Sequence, residues 1–211
     1  LDNREVAKAD IVFLAVKPFY YEEVIDGIKD VVDEKQLIIS VAAGKSVEWG
    51  ENAFGGKKKI VRIMPNTPAL VGEAVTAICP NANITDSEKQ EIVELIASFG
   101  LAQIVSEKIM DAVIAVSGSS PAYVFMFIEA MADAAVAEGM PRVQAYQFAA
   151  QSVLGSAKMV LETGKHPGEL KDMVCSPSGT TIEAVKVLEE KGFRSSIIEA
   201  MSACADKSRN M

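Results

Sequence analysis

The sequence predicts two domains of different class, a parallel-sheet α/β domain over residues 1–105 and an all-helical domain over residues 106–211. Three observations carry that expectation. Short apolar runs alternate with amphipathic stretches in the first half, which is the grammar of β-α-β units. From Ser106 onward the alternation stops, and apolar residues recur at helical spacing as far as Ala203. Finally, 49% of the 211 residues are hydrophobic and 24% charged, a balance that supports a sizeable core and separates the chain from disordered sequences.

Taken in order, residues 11–16 read as a first strand, residues 20–32 as an amphipathic helix and residues 37–42 as a second strand. A helix over 46–53 and a strand over 59–64 follow, and apolar runs bounded by turns suit a parallel sheet covered on both faces. Pro65 and Pro68 bracket Asn66 and Thr67, so the chain leaves the sheet there as a shaped loop. Asp86 is the expected cap of a helix through Phe99, and residues 102–105 close the sheet. In the second half, Pro121 suits the first turn of a helix over 122–138, which stops at Gly139 before Pro141. Another long helix covers 142–162 and ends at Thr163 and Gly164. These helices are rich in Ala, Met, Val and Phe, which implies burial of more than one face, part of it against a second copy of the chain.

Composition narrows the function classes. A net charge of −8, from 21 Lys and Arg against 29 Asp and Glu, opposes binding to nucleic acid and leaves room only for a local basic pocket. Cys79, Cys175 and Cys204 are odd in number and form no C-x-x-C pair, so reduced thiols are expected. The single histidine, His166, cannot build a multi-histidine zinc site or a two-histidine catalytic arrangement; it reads as a structural or rim residue, and no metal is expected. Pro121, Glu129, Asp133 and Glu138 interrupt the apolar stretches before the ~20 residues of a membrane span, so a soluble, cytoplasmic protein is expected. The sequence shows no charged start followed by an apolar secretory segment, and it opens on Leu1, so a chain lacking its true N-terminus is expected.

Several segments are candidates for chemistry. Ser176, Pro177, Ser178, Gly179, Thr180 and Thr181 precede an apolar helical pattern over 182–188 and read as a helix N-terminus. Such a terminus exposes backbone N–H groups that suit a carboxylate or phosphate, and Gly179 lets a ligand approach closely. An ordinary capping segment has the same first turn, although two threonines and a glycine exceed what a cap needs. The segments AVKP (15–18), VAAG (41–44) and MPNTP (64–68) each follow a predicted strand, so they converge on the sheet edge where open α/β sheets bind ligands. Taken singly, each is also compatible with a plain turn. Ser117, Gly118, Ser119, Ser120 and Pro121 lack a G-x-S-x-G pattern and a partner histidine, and read as a flexible turn ahead of the long helix. No G-x-G-x-x-G or Walker-type phosphate loop occurs in the sequence.

Together these segments resemble the pyrroline-5-carboxylate reductase family. The resemblance runs through Asn3 to Val6, AVKP, VAAG, MPNTPALVGEA (64–74), SGSSPAYVFMFIEAMADAA (117–135), GSAKMVLETGKHPGELKDMVCSPSGTTIEAV (155–185) and GFRSSIIEAM (192–201). It implies a Rossmann-like domain whose first β-α-β unit, with its glycine-rich loop, would precede Leu1; roughly the first quarter of the family's chain is then absent. It further implies reduction of 1-pyrroline-5-carboxylate to L-proline with NADPH or NADH. By the same resemblance, Asn3 meets the adenosine ribose and Ala15, Val16, Lys17 and Pro18 line the cofactor. Ala42, Ala43, Gly44 and Asn66 lie nearer the nicotinamide. The substrate loop corresponds to Ser176, Pro177, Ser178, Gly179, Thr180 and Thr181. In it the Ser176 hydroxyl and the N–H groups of Gly179, Thr180 and Thr181 hold the carboxylate, while the Thr181 hydroxyl faces the ring nitrogen; Thr181 and Ser176 are thus the candidate catalytic residues.

One departure matters: the family's loop reads Ser-Pro-Gly-Gly, and here Ser178 replaces the first glycine. If that position requires positive φ, the serine costs about 1 kcal/mol. The resemblance also implies a homodimer through the helical domain, or an assembly of dimers. Two alternatives stay open at this point, a non-catalytic helical oligomerisation and ligand-binding fragment, and a related imine or β-hydroxyacid reductase.

Overall fold

The computed structural model describes residues 2–210 and places a five-stranded sheet in the first half of the chain. Strands β1 (Ile11–Leu14), β2 (Leu37–Ser40), β3 (Lys59–Met64), β4 (Ala74–Pro80) and β5 (Gly100–Ile104) lie side by side in chain order. β1, β2 and β3 are mutually parallel, β4 runs antiparallel to β3, and β5 is parallel to β4. The sheet is therefore mixed rather than all-parallel. After β3 the chain makes a 3-10 turn over Thr67–Val71 and reverses at Gly72, φ 77°. That return is too short for a crossover helix, so the next strand must come back antiparallel.

Period-two alternation explains the burial. Leu37 and Ile39 of β2 pack with Val61, Ile63, Ile78, Ile92 and Ile96 on one face. Ile38 packs with Val12, Leu14, Ile25, Ile28 and Ile60 on the other. Helices α2 (Tyr21–Ile28) and α3 (Val47–Phe54) cover the second of these faces, while α4 (Asp86–Ala97) covers the first through Ile92 and Ile96. Coverage of both faces fails at the edge, where Ile11 and Phe13 of β1 stay exposed. A short helix α1 (Asn3–Val6) precedes β1.

The cap of α4 is Thr85, one residue before the expected Asp86. Its hydroxyl accepts from the Glu88 N–H while the Glu88 carboxylate reaches back to the Thr85 N–H, a reciprocal capping box. Glu88 also pairs with Lys59 of β3. Lys59, and then the Thr85 N–H, hold its carboxyl down from the ordinary 4.5 to about 2. Because the folded value is depressed, this stabilisation is complete above pH 4.5 and disappears as the pH falls through about 2. Glu88→Gln should therefore be less stable than the wild type near neutrality, with the gap closing across that acid window. Urea unfolding at stepped pH checks this, and a gap independent of pH would remove the ion pair from the account.

Beyond β5, helix α5 (Met110–Val113) runs through a π-helical turn, Ile114–Gly118, into α6 (Ser120–Ala137). The flexible Gly-Ser turn expected at 117–121 is thus helical. Ser117 is buried and bonds the Val113 carbonyl at 2.9 Å, and the Ser119 N–H closes the wide turn on Ile114 at 2.8 Å. Helices α7 (Arg142–Thr163), α8 (Pro167–Val174), α9 (Thr180–Glu190) and α10 (Phe193–Arg209) complete the chain. His166 caps α8, its Nδ1 accepting from the Gly168 N–H at 3.0 Å, which is the structural role expected of it.

By compactness the chain forms two units, one of residues up to Pro121 together with those from Met201, the other Ala122–Ala200. Within the first, Ser208 bonds Asp111 at 2.6 Å and Cys204 lies 3.2 Å from the Ser119 hydroxyl. The second has a small interior of Ala132, Ala145 and Ala149, with Phe125, Met126, Phe148 and Leu161 exposed. The helical run 107–137 is long and apolar enough, by length and composition, to cross a membrane; its most apolar window has mean hydropathy 1.4 and is 11% buried. Its acidic residues do not keep it below that threshold, contrary to the sequence expectation.

Candidate functional site

Because β1, β2 and β3 are parallel and in register, Leu14 beside Ser40 and Ser40 beside Arg62, their carboxyl ends share one edge. The turns leaving that edge carry Ala15, Val16, Lys17 and Pro18, then Ala42, Ala43 and Gly44, then Asn66. The structure thus gathers the predicted segments. Ala15, Val16 and Lys17 are exposed, and Lys17 begins the 3-10 turn Pro18–Tyr20. Gly44 is exposed with φ 74°. Ala42 is 2% exposed and belongs to the core, so only its backbone is available at the edge. Asn66 is a tie between segments: its Oδ1 accepts from the Val75 N–H and its Nδ2 donates to the Ser117 carbonyl, both at 3.1 Å.

Asn3 opens the short helix α1 ahead of β1. Its helix is anchored by Arg4, which bonds the Gly27 carbonyl at 2.9 Å and grips the Asp30 carboxylate at 2.7 Å, at the end of α2 remote from Tyr21. Gln36, just before β2, holds the Ala7 and Ala9 carbonyls.

Behind the strand ends lies a polar layer that sequence reasoning missed. Arg62, 7% exposed, donates through Nη1 to Glu107 Oε1 at 2.8 Å, and the same oxygen accepts the Val47 N–H at 2.9 Å. Burial, and then the Glu107 carboxylate, push the Cys79 thiol up to about 11, so it is unreactive at neutral pH. Tyr21 is 1% exposed, with its hydroxyl at the ends of β1 and β2. The available signal was its helical spacing with Ile25 and Ile28, which assigns the ring to the core but says nothing about the hydroxyl.

The second candidate lies between α8 and α9. Ser176, Pro177 and Ser178 form a turn closed by the Gly179 N–H donating to the Ser176 carbonyl at 3.1 Å. Ser178 has φ 55°, the one positive φ of a non-glycine residue among the described residues. The position where the family carries glycine thus does require the left-handed conformation, and the serine bears its strain. Gly179 begins α9 in extended conformation, φ −79° and ψ 168°, and no side chain caps the helix. An ordinary Ser or Thr cap is therefore ruled out. A Cβ on Gly179 would lie 2.4 Å from Ser176 Oγ and 3.2 Å from Ser176 O, so the Ser176 hydroxyl leans directly over the helix start. The Gly179 N–H is spent on the turn, which corrects its expected part in holding a carboxylate. The donors facing outward are the first-turn N–H groups of Thr180 and Thr181 and the Ser176 hydroxyl. Thr181 is half-buried, whereas Thr180, Ser176, Pro177 and Ser178 are exposed.

Comparison with known proteins follows the change of structure along the chain. Residues 107–211 match a family model described as pyrroline-5-carboxylate reductase dimerisation, and residues 1–44 one described as NADP oxidoreductase, coenzyme F420-dependent. The chain is 56% identical over 209 residues to the pyrroline-5-carboxylate reductase of Escherichia coli (strain K12), covering 99% of this chain and 78% of that protein. It is 46% identical over 206 residues to that of Methanosarcina acetivorans, covering 98% and 76% respectively. The crystal structure of Plasmodium falciparum pyrroline carboxylate reductase with NADP bound aligns with a TM-score of 0.93 at 35% identity, over 100% of this chain and 80% of that one.

Proposed function

That this chain belongs to the pyrroline-5-carboxylate reductase family is the premise from which we infer its chemistry, the reduction of 1-pyrroline-5-carboxylate to L-proline with NADPH as hydride donor. NADH is the alternative donor, to be compared in the same assay. The observation that carries the reading is the uncapped start of α9 with the Ser176 hydroxyl leaning over it. The N–H groups of Thr180 and Thr181 and the Ser176 hydroxyl hold the substrate carboxylate there, where the helix dipole favours negative charge. Ser178 shapes the turn, Pro177 limits its freedom, and Gly179 leaves space for the hydroxyl. The Thr181 hydroxyl faces the ring nitrogen and orients it.

Ala15, Val16, Lys17, Pro18, Ala43 and Gly44 hold the dinucleotide, Ala42 and Asn66 supporting them from behind. Small side chains and turning backbone at the strand ends fit a flat ring and its ribose, and Lys17 supplies a cation for phosphate. When bound, NADPH supplies the hydride that adds to the C=N carbon. The imine binds protonated, so the π electrons pass to a nitrogen that already carries its proton, and the protein needs no strong general acid. Its part is alignment and exclusion of water.

The helical domain, taken from residue 106, is the dimerisation domain, and its exposed Phe125, Met126, Phe148 and Leu161 fit a face that a second copy covers. The same face accounts for the apolar run 107–137 without a membrane. The cytoplasm is the compartment we assign, in keeping with three unpaired cysteines among the described residues.

Loss of NADPH absorbance dependent on 1-pyrroline-5-carboxylate tests the reading; NADPH binding with no turnover on that imine would overturn it. In the same assay Thr181→Ala should lower kcat about 10-fold or more, since a positioned hydroxyl is lost at the reacting ring. Unchanged kinetics would take Thr181 out of the site.

A further inference from the structure

The Tyr21 hydroxyl makes its full set of bonds at the one place where β1 and β2 part. It donates to the carbonyl of Leu14, the last residue of β1. It accepts from the Val41 N–H at 3.2 Å and lies 3.4 Å from the hydroxyl of Ser40, the last residue of β2. Val41 N–H reaches Leu14 O directly only at 3.4 Å, so the phenol sits in the final rung of the ladder and closes it. The next residues on either strand are the turns of Ala15 to Pro18 and Ala42 to Gly44. The ring is held from the other side as well: it lies 6.2 Å from Trp49 of α3, and Lys45 sits 4.1 Å over Trp49 while reaching Glu22 of α2 at 3.6 Å. Burial raises the phenol above its ordinary range, so it remains a donor at any physiological pH.

We propose that Tyr21 is a positioning residue for the dinucleotide: its hydroxyl fixes the spacing of the two turns that hold NADPH without touching it. A core tyrosine needs one partner for its hydroxyl; this one bridges two strands at the point where their ladder ends. The proposal rests on the reductase reading for the identity of the ligand, whereas the clasp itself is a property of the unliganded chain.

Tyr21→Phe keeps the ring and removes only the hydroxyl, so the test separates the two. In the unliganded full chain, amide exchange over 15–18 and 41–44 should quicken about 10-fold. The Kd for NADPH, read from quenching of Trp49, the single tryptophan, should rise about 5-fold. Meanwhile kcat at saturating NADPH and KM for the imine should stay within about twofold, since no substrate contact is altered. A purely structural tyrosine would lower the unfolding midpoint and leave the Kd of the folded protein unchanged. Unchanged exchange overturns the clasp, and faster exchange with an unchanged Kd overturns its role in binding. A wild type that does not bind NADPH sinks the reductase reading instead, with the exchange result still deciding the clasp. Ser40→Ala, which removes one weaker contact, should shift exchange in the same direction by less.

Discussion

Gly179→Ala should lower kcat/KM for 1-pyrroline-5-carboxylate about 100-fold while leaving the protein folded. The argument is steric and local. An alanine Cβ would lie 2.4 Å from Ser176 Oγ, and the cheapest relief is rotation of that hydroxyl away from the start of α9. The 3.2 Å approach to the Ser176 carbonyl adds pressure on the turn that the Gly179 N–H closes. Both changes remove or misplace carboxylate donors, and a displacement of an ångström at the anchoring end swings the imine carbon off the hydride path. Steady-state kinetics with a parallel urea melt checks it. Ser176→Ala, which deletes the hydroxyl without moving the backbone, should lose about 10-fold. Equal activity of the Gly179 variant and the wild type would mean that the loop does not hold the substrate.

The largest expected loss of stability belongs to Glu107→Ala, at about 3 kcal/mol. Arg62 is buried with its Nε already lacking a partner among the described residues, and Glu107 is the acceptor for its Nη1. Removing the carboxylate leaves a desolvated guanidinium and also orphans the Val47 N–H, which shares that oxygen. Glu107→Gln keeps a neutral acceptor and should cost less. Replacing both members of the pair by methionine should recover much of the loss, because the charge to be desolvated is gone. Urea unfolding of the four proteins decides it. A loss below about 1 kcal/mol in the alanine variant would show that water reaches the guanidinium.

Much of this was legible because parallel strands write themselves as apolar runs followed by small-residue turns. AVKP, VAAG and MPNTP each stand after such a run, and the sheet brings them to one edge as the sequence requires. The same logic fails for β4. Ala74, Thr76, Ala77 and Cys79 are small or polar, and their strand is defined by pairing with β3 after a tight reversal rather than by its own periodicity. At α4 the choice between Thr85 and Asp86 as cap turned on Glu88, three residues after the former, which completes the box only from there. At the loop, Ser178 raised the right question and the backbone answered it with φ 55°. The Gly179 N–H was assigned to the ligand because a sequence does not reveal which donors a turn consumes. For a related reason the sequence does not show that both polar atoms of the Asn66 amide are taken by internal bonds. Tyr21, Arg62 and Glu107 are long-range ties, 20 to 60 residues from some of their partners, and no local pattern encodes them.

The sparse interior of Ala122–Ala200 makes the concentration of the protein a structural variable. Helices that bury three alanines and leave rows of phenylalanine, methionine and leucine in water gain little from folding alone. A second copy that covers this face adds burial the single chain lacks, so dilution works against these helices, and a melting temperature has meaning only beside the concentration at which it was taken. A newly made chain likewise leaves this apolar face in water until it meets its counterpart. It must find its counterpart before proteases or other exposed surfaces find it, so the level of expression sets how much of the protein reaches its final state.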